Sequence, residues 1–232
     1  MPFLQRDGEV FVLYLGTEGQ TDSENRFHPD WMTEFHKLVD ETEASEGHAA
    51  LVLTATGKFF SNGLDTDWLF GNFDKLHGYL DTVHQVFARV LTSPLPTVAA
   101  INGHAFGAGA MLATSCDSAV MRADRGFFCL PEVVLNMPFT VGMNALMTTR
   151  LTNRVAVQAM TTGRRFGGDD AVAAGIVDEA AAADQLLPRA VARAAELARL
   201  RGANLATIKK DAHASVLTAL AVATTPANLA FG

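Results

Sequence analysis

The sequence predicts an α/β protein built on a mainly parallel sheet, and three observations carry that expectation. Short apolar runs rich in Val, Ile, Leu and Ala recur along the first half of the chain, too short for helices and without polar alternation. Amphipathic segments at helical spacing stand between them. The composition, 49% hydrophobic and 19% charged over 232 residues, is that of a globular domain with a sizeable core.

The first two runs, residues 10–15 and 49–55, read as strands covered on both faces. Between them Trp31, Phe35, Leu38 and Val39 recur at helical spacing, which makes a strand-helix-strand crossover. Asp65 and Asp67 fall in the first turn of a further predicted helix, where carboxylates complement the dipole. Leu76, Leu80, Val83, Val86, Phe87 and Val90 mark another amphipathic helix. A strand at 97–101, an apolar helix at 108–116 and short strands at 118–121 and 126–129 follow. From Pro138 the chain turns helical and Ala-rich, with helices expected at 187–200 and 205–220. No repeat or long linker interrupts the pattern, so residues 1–232 read as one domain: a core of about 1–180 and C-terminal helices at about 181–232, available for assembly.

Several function classes are excluded at this level. The net charge is −7 with Lys and Arg scattered, so the basic footprint of a nucleic-acid binder is missing, and any acidic ligand must be held locally. Arg89 to Asp117 holds no charged residue between its ends, yet Pro94, Pro96, Asn102, Gly103, Gly107 and Gly109 break it up, so no membrane span is expected. Cys116 and Cys129, the only cysteines, cannot make a disulfide framework or a Cys-rich zinc site and read as buried core. The histidines show no ligand spacing, and no metal is expected. The N-terminus lacks the succession of a secretory signal and Ala230-Phe231-Gly232 is no peroxisomal address, so a cytoplasmic protein is expected.

Two segments share one physical form, a strand, a Gly-containing turn and a helix start. One passes through Lys58-Phe59-Phe60-Ser61-Asn62-Gly63-Leu64-Asp65, the other through Asn102-Gly103-His104-Ala105-Phe106-Gly107-Ala108-Gly109. Helix N-termini offer free N–H groups, and glycine lets a ligand approach the backbone. Two such turns meeting would make an oxyanion hole. The glycines match neither a dinucleotide fingerprint nor a phosphate loop, and no Gly-x-Ser-x-Gly elbow is present.

Taken together with Pro96-Thr97-Val98-Ala99-Ala100-Ile101, Ser115-Cys116-Asp117 and Phe128-Cys129-Leu130-Pro131-Glu132-Val133, these turns closely resemble the crotonase superfamily of enoyl-CoA hydratases and isomerases. The resemblance runs from about Val10 to the helices after Lys209. It implies a spiral of ββα units, a homotrimer or dimer of trimers, and an acyl-CoA substrate whose coenzyme A is part of the thioester, with no separate cofactor. It places the two oxyanion-hole N–H groups on Leu64 and Ala108, beside Gly63 and Gly107.

The resemblance also decides between chemistries. Family hydratases use two Glu side chains; the one in the Pro-Glu motif falls on Glu132, and the other falls on Met111, which cannot exchange a proton. A lone carboxylate beside an enolate hole resembles the Δ3,Δ2-enoyl-CoA isomerase branch, with Glu132 moving a proton from C2 to C4. Burial among Phe128, Val133 and Leu135 should raise its pKa toward working pH. The alternatives are hydration or thioester hydrolysis on the same fold, or a non-catalytic acyl-CoA-binding module.

Lys58 is placed by the resemblance near CoA phosphates, although its position fits a solvated surface Lys equally well. Asn62 would border the adenine pocket, and Met111 the acyl site. Phe70, Phe73, Leu76 and Phe139 are candidates for an acyl tunnel, though core packing explains them as well. His104 is expected to be a hydrogen-bonded structural His, since no Ser, Cys or Asp partner stands at a telling spacing.

Overall fold

The computed structural model describes residues 1–229. The tripeptide Ala230-Phe231-Gly232, read above as no targeting address, lies outside them. The chain opens with an antiparallel hairpin, β1 (Phe3–Asp7) and β2 (Val10–Tyr14), turned by Gly8 at φ +58°. Helix α1 (Pro29–Ala44) starts with Pro at its first turn and leads to β3 (Ala50–Thr54), parallel to β2 with Val12 opposite Val52.

Three similar passages follow. After β3 come the short β4 (Phe59–Ser61), then α2 (Thr66–Gly71) and α3 (Leu76–Leu91). Strand β5 (Thr97–Ile101) leads to β6 (His104–Phe106) and α4 (Ala108–Ser115). Strand β7 (Ser118–Arg122) leads to β8 (Phe128–Cys129) and α5 (Val141–Arg150). Helices α6 (Asn153–Thr162) and α7 (Gly168–Ala173), strand β9 (Glu179–Ala181), and helices α8 (Leu186–Leu197), α9 (Ala203–Ala212) and α10 (Ala214–Leu220) complete the fold.

The long strands make one sheet in the order β1-β2-β3-β5-β7-β9, and the short ones a second, β4-β6-β8. Every pairing except the first hairpin is parallel. This is the spiral of ββα units. Successive strand residues face opposite ways, and both faces of the long sheet are covered. Leu13, Leu53, Ala99 and Met121 pack toward α1, α3 and α4, while Val12, Val52, Val98 and Val120 meet Leu186, Ala190 and Ala194 of α8. None of the described helices is long and apolar enough to cross a membrane.

The structure differs from the expected elements in several places, among them β9, a strand within the stretch expected to be helical. Strand β1 carries a polar Gln-Arg-Asp edge that hid it. The two glycine turns contain β4 and β6, so the turns are themselves strands of a second sheet, and the strand expected at 126–129 is only Phe128–Cys129. The helix expected at 205–220 breaks at His213. The break lets its halves dock separately, Lys209 against Asp117 and the Leu95 carbonyl, Val216 and Leu220 in the hydrophobic core. Finally, α8 covers a face of the main sheet, so the core extends past residue 180.

Candidate active site

The first turn is fixed on both sides of Leu64. The Gly63 N–H donates to Ser61 Oγ at 3.1 Å, whose hydroxyl donates to the Asn25 carbonyl at 2.7 Å. The Gly63 carbonyl accepts from Phe27 N–H at 2.8 Å, and the Asp65 N–H donates to the Tyr79 hydroxyl at 2.9 Å. Asp65 caps α2 by accepting from Trp68 N–H at 3.0 Å, as its helix-start position suggests, whereas Asp67 pairs with Arg26 at 2.9 Å. Among the described residues the Leu64 N–H itself has no acceptor.

The second turn closes on the first. Strand β6 lies between β4 and β8, and the Gly107 N–H donates to the Cys129 carbonyl at 3.0 Å. Gly107 adopts φ 51° and ψ −121°, a conformation only glycine enters readily, and this turns the chain so that Ala108 begins α4. The Ala108 N–H is thus one of the unpaired donors of a helix N-terminus, at the positive end of its dipole. Gly63, at φ +82°, sits where a Cβ would lie 2.7 Å from the Phe106 carbonyl oxygen and 2.9 Å from Ala108 N. The two turns therefore touch, and their free N–H groups can hold one oxygen.

Glu132 comes from the third unit. After β8 the chain forms a turn in which Leu135 and Met137 N–H groups both donate to the Glu132 carbonyl, with Asn136 in the left-handed region at φ 53°. Its side chain runs inward, placing Oε1 3.2 Å from where a Gly107 Cβ would stand. Oε2 is shielded from solvent and has no hydrogen-bond partner. Burial without a compensating cation pushes the carboxyl up to about 7. The source of that burial differs from expectation, because Val133 and Leu135 are 48% and 58% exposed. The turn sends them outward; Leu64, Ala108, Met137, Pro138 and Met143 share the space around the carboxyl instead.

Glu132 stands between two cavities. The outer one, about 730 Å³, opens to solvent past Asn62, Thr66, Phe70, Phe106, Leu135 and Arg165. The inner one is about 30 Å³, enclosed by Leu76, Leu80, Met137, Pro138, Met143 and Leu229. Leu64, Ala108, Glu132 and Met137 border both. Among the described residues Glu132 is the one carboxylate on either wall.

The remaining candidates divide. Asn62 and Gly107 line the outer cavity, while Gly63 lies behind it, against the second turn. Met111 is fully buried in the core and borders neither cavity, because α4 turns that face toward the packed interior. Lys58 is exposed and off the cavity wall, its ammonium 5.2 Å from the Phe59 ring, because it stands in the surface turn before β4. Phe70 lines the outer cavity and Leu76 the inner one, whereas Phe73 and Phe139 line neither. Cys116 is core, with its thiol pushed up to about 12 by burial; Cys129 is buried but also touches the outer cavity. His104 is held by ring packing, 5.4 Å from Phe59, 4.8 Å from Phe106 and 5.6 Å from Phe127, and not by the hydrogen bond expected of it, since Nδ1 has no partner.

Arg165 was not among the sequence candidates. Its guanidinium lies 5.6 Å from the Phe106 ring and 5.9 Å from the Phe127 ring, on the outer cavity wall. Burial and then the charges of Lys58, Arg165 and Arg125 lower the His104 pKa, so three cations gather near His104 in a net acidic chain, and among the described residues Arg165 is the one of them that lines the cavity. The signal was Gly163-Arg164-Arg165, a left-handed helix stop at φ +61° followed by two cations.

Comparison with known proteins places this geometry. The family profile described as enoyl-CoA hydratase/isomerase matches residues 20–228. The chain is 34% identical over 220 residues to enoyl-CoA delta isomerase 3 of Arabidopsis thaliana, covering 90% of this chain and 91% of that one. Its fold is similar to that of a probable enoyl-CoA hydratase from Mycobacterium tuberculosis H37Rv, with a TM-score of 0.86 at 28% identity over 96% of this chain and 92% of that one. Human mitochondrial delta3-delta2-enoyl-CoA isomerase shares the fold, with a TM-score of 0.85 at 22% identity over 94% and 84% of the two chains.

Proposed function

The chain belongs to the enoyl-CoA hydratase/isomerase family, and from that membership we propose that it moves the double bond of a 3-enoyl-CoA to the 2-position. The observation that carries this reading is that Glu132 is the single carboxylate among the described residues lining the two cavities; the resemblance adds that the second acid of family hydratases falls on Met111, which cannot exchange a proton. The relative named a delta isomerase supports the same choice.

Each step follows from the groups present. The Leu64 and Ala108 N–H groups receive the thioester oxygen. The Glu132 carboxylate takes a proton from C2, and the electron pair moves onto that oxygen as a dienolate. The two donors strengthen their hold as the charge develops, a contribution typically worth about 3 kcal/mol per donor. Glu132, now a carboxylic acid, returns the proton at C4; the C2–C3 double bond forms and the carboxylate is regenerated. A carboxyl with pKa about 7 suits both halves of the cycle.

The wide mouth, with Arg165 on its wall in the role first given to Lys58, suits the coenzyme A phosphates. Residues 1–232 act in this reading as one catalytic domain, assembled as a homotrimer or dimer of trimers. Apolar side chains left exposed, among them Val157, Leu200 and Ile208, support such burial. The test is an assay with 3-hexenoyl-CoA and, separately, 2-hexenoyl-CoA, following conjugated enoyl-thioester absorbance. A rise with the first and no loss with the second is expected; loss of the second at a comparable rate means hydration and overturns the reading.

A further inference from the structure

The first oxyanion donor is held from behind by a segment that the proposed chemistry does not use. Building on the isomerase reading, that donor is the Leu64 N–H, and two peptide units meet at Leu64. Of their four polar groups three are committed: the Gly63 carbonyl accepts from Phe27 N–H at 2.8 Å, the Leu64 carbonyl accepts from Thr66 N–H at 3.1 Å, and the Asp65 N–H donates to the Tyr79 hydroxyl at 2.9 Å. Among the described residues the Leu64 N–H is the one left without an acceptor. A trans peptide is planar, with its C=O and N–H pointing opposite ways, so the Phe27 N–H that fixes the Gly63 oxygen also fixes where the Leu64 N–H points. The same bond polarises that peptide and makes its N–H a better donor.

Tyr79, on α3, closes this arrangement into a ring. Its hydroxyl accepts from Asp65 N–H and donates to the Phe27 carbonyl at 3.0 Å, so Phe27 is tied to the turn through both its N–H and its carbonyl. The side chain is buried, stacks on Trp68 at 5.3 Å, and borders neither the outer nor the inner cavity. Burial pushes the phenol above its ordinary value, so it keeps the proton that it donates to Phe27. Asn25 fastens the other end of the segment. It is buried, away from both cavities, in the left-handed region at φ 53°, which residues other than glycine seldom enter. Its Nδ2 donates to the Phe59 and Phe60 carbonyls of β4, each at 3.0 Å, and its carbonyl accepts from the Ser61 hydroxyl that holds the Gly63 N–H.

We propose that Tyr79 and Asn25 are positioning residues of the oxyanion hole: they fasten residues 25–27 to the first glycine turn and thereby aim the Leu64 N–H before substrate arrives.

The test uses Tyr79→Phe, which keeps the ring and its stacking but leaves the Phe27 carbonyl and Asp65 N–H without their partner, and Asn25→Gly, which keeps the left-handed backbone but removes the amide. Tyr14→Phe is the control, taking the hydroxyl from the chain's other tyrosine, which stacks on Phe3 at 4.6 Å. The carbonyl stretch of bound hexanoyl-CoA labelled with carbon-13 at its thioester carbon, read by infrared difference spectroscopy, reports the pull of the hole and needs no reaction. It should lie below the free value in the wild type and in Tyr14→Phe, and move back toward the free value in both test variants. With 3-hexenoyl-CoA, kcat should fall about tenfold to 100-fold in Tyr79→Phe, short of the roughly 100-fold to 1000-fold that loss of a whole donor costs, with KM changed by less than about threefold. A stretch unmoved in folded Tyr79→Phe means a structural role alone and overturns the proposal, whatever the rate; Asn25→Gly decides in the same way if Tyr79→Phe does not fold. A Tyr79→Phe kcat equal to that of an active wild type overturns it too. The stretch also separates this inference from the reaction assignment. If it moves back in the variants while no form of the protein turns over 3-hexenoyl-CoA, the positioning stands and the isomerase is refuted.

Discussion

Replacing Gly63 with Ala should separate the oxyanion hole from the rest of the fold. At φ +82° an Ala pays about 1–2 kcal/mol for the left-handed backbone. Its Cβ would stand 2.7 Å from the Phe106 carbonyl oxygen and 2.9 Å from Ala108 N. Both are backbone atoms, so relief requires the two turns to part by about 0.5 Å, the tolerance within which a catalytic constellation works. Since the turns carry Leu64 and Ala108, parting them spoils at least one donor, and kcat should fall by about 100-fold to 1000-fold. The strain alone should lower Tm by about 2–8 °C in a chain of this size. Gly8→Ala is the control, with the same left-handed strain at φ +58° but nothing within 4 Å of the new Cβ and a position on the β1–β2 hairpin. Initial rates with 3-hexenoyl-CoA and thermal unfolding by circular dichroism would be measured on both. If Gly63→Ala lost stability like the control yet kept kcat within threefold of wild type, the hole would not lie between these turns.

Three other outcomes follow from the same structure. For the free enzyme kcat/KM should rise with pH through about 7, because in the proposed reaction the base form of Glu132 takes the first proton, and burial pushes its carboxyl up to about 7; a rate flat from pH 5 to 9 would contradict this. The same shift has a stability cost of opposite sign. The folded protein holds the Glu132 proton more tightly than the unfolded chain, so stability falls as pH rises from the ordinary carboxylate value of about 4.5 to about 7, and Glu132→Gln should match or exceed wild-type Tm at pH 8. Lys209→Met removes the ammonium 2.5 Å from Asp117 and 2.7 Å from the Leu95 carbonyl, and should cost about 3 kcal/mol in urea unfolding; a loss under 1 kcal/mol would mean α9 is not anchored there.

The central strands were legible because their signals are local and redundant. Residues 97–101 hold no polar group but Thr97, and the strand fills that span to the residue. The glycine turns stood out by residue type before their structure could be read, since backbone freedom at Gly63 and Gly107 shows in the residue type. The strands inside them did not show, because β4 and β6 have three residues each and pair only with one another and with β8 across the chain. Glu132 stood out in its motif, but not its surroundings: whether Val133 and Leu135 point in or out depends on the Asn136 turn, a tertiary feature. Arg165 lay far from either turn in sequence and reaches the site only because Phe166 pairs with Phe128 beside β8. Met111 marks the opposite case, a position whose residue type carried the argument although its side chain never reaches the cavity.

The central claim is that one carboxylate moves the proton while backbone N–H groups hold the oxygen. Its most direct test is Glu132→Gln, which keeps the shape and removes the base. Turnover of 3-hexenoyl-CoA should fall by about 100-fold to 10,000-fold, the range set by loss of a general acid/base. Hexanoyl-CoA should still bind within a few-fold of the wild-type Kd, because the hole and the cavity walls are untouched. Turnover within tenfold of wild type, with binding intact, would contradict the account and place the proton transfer on another group.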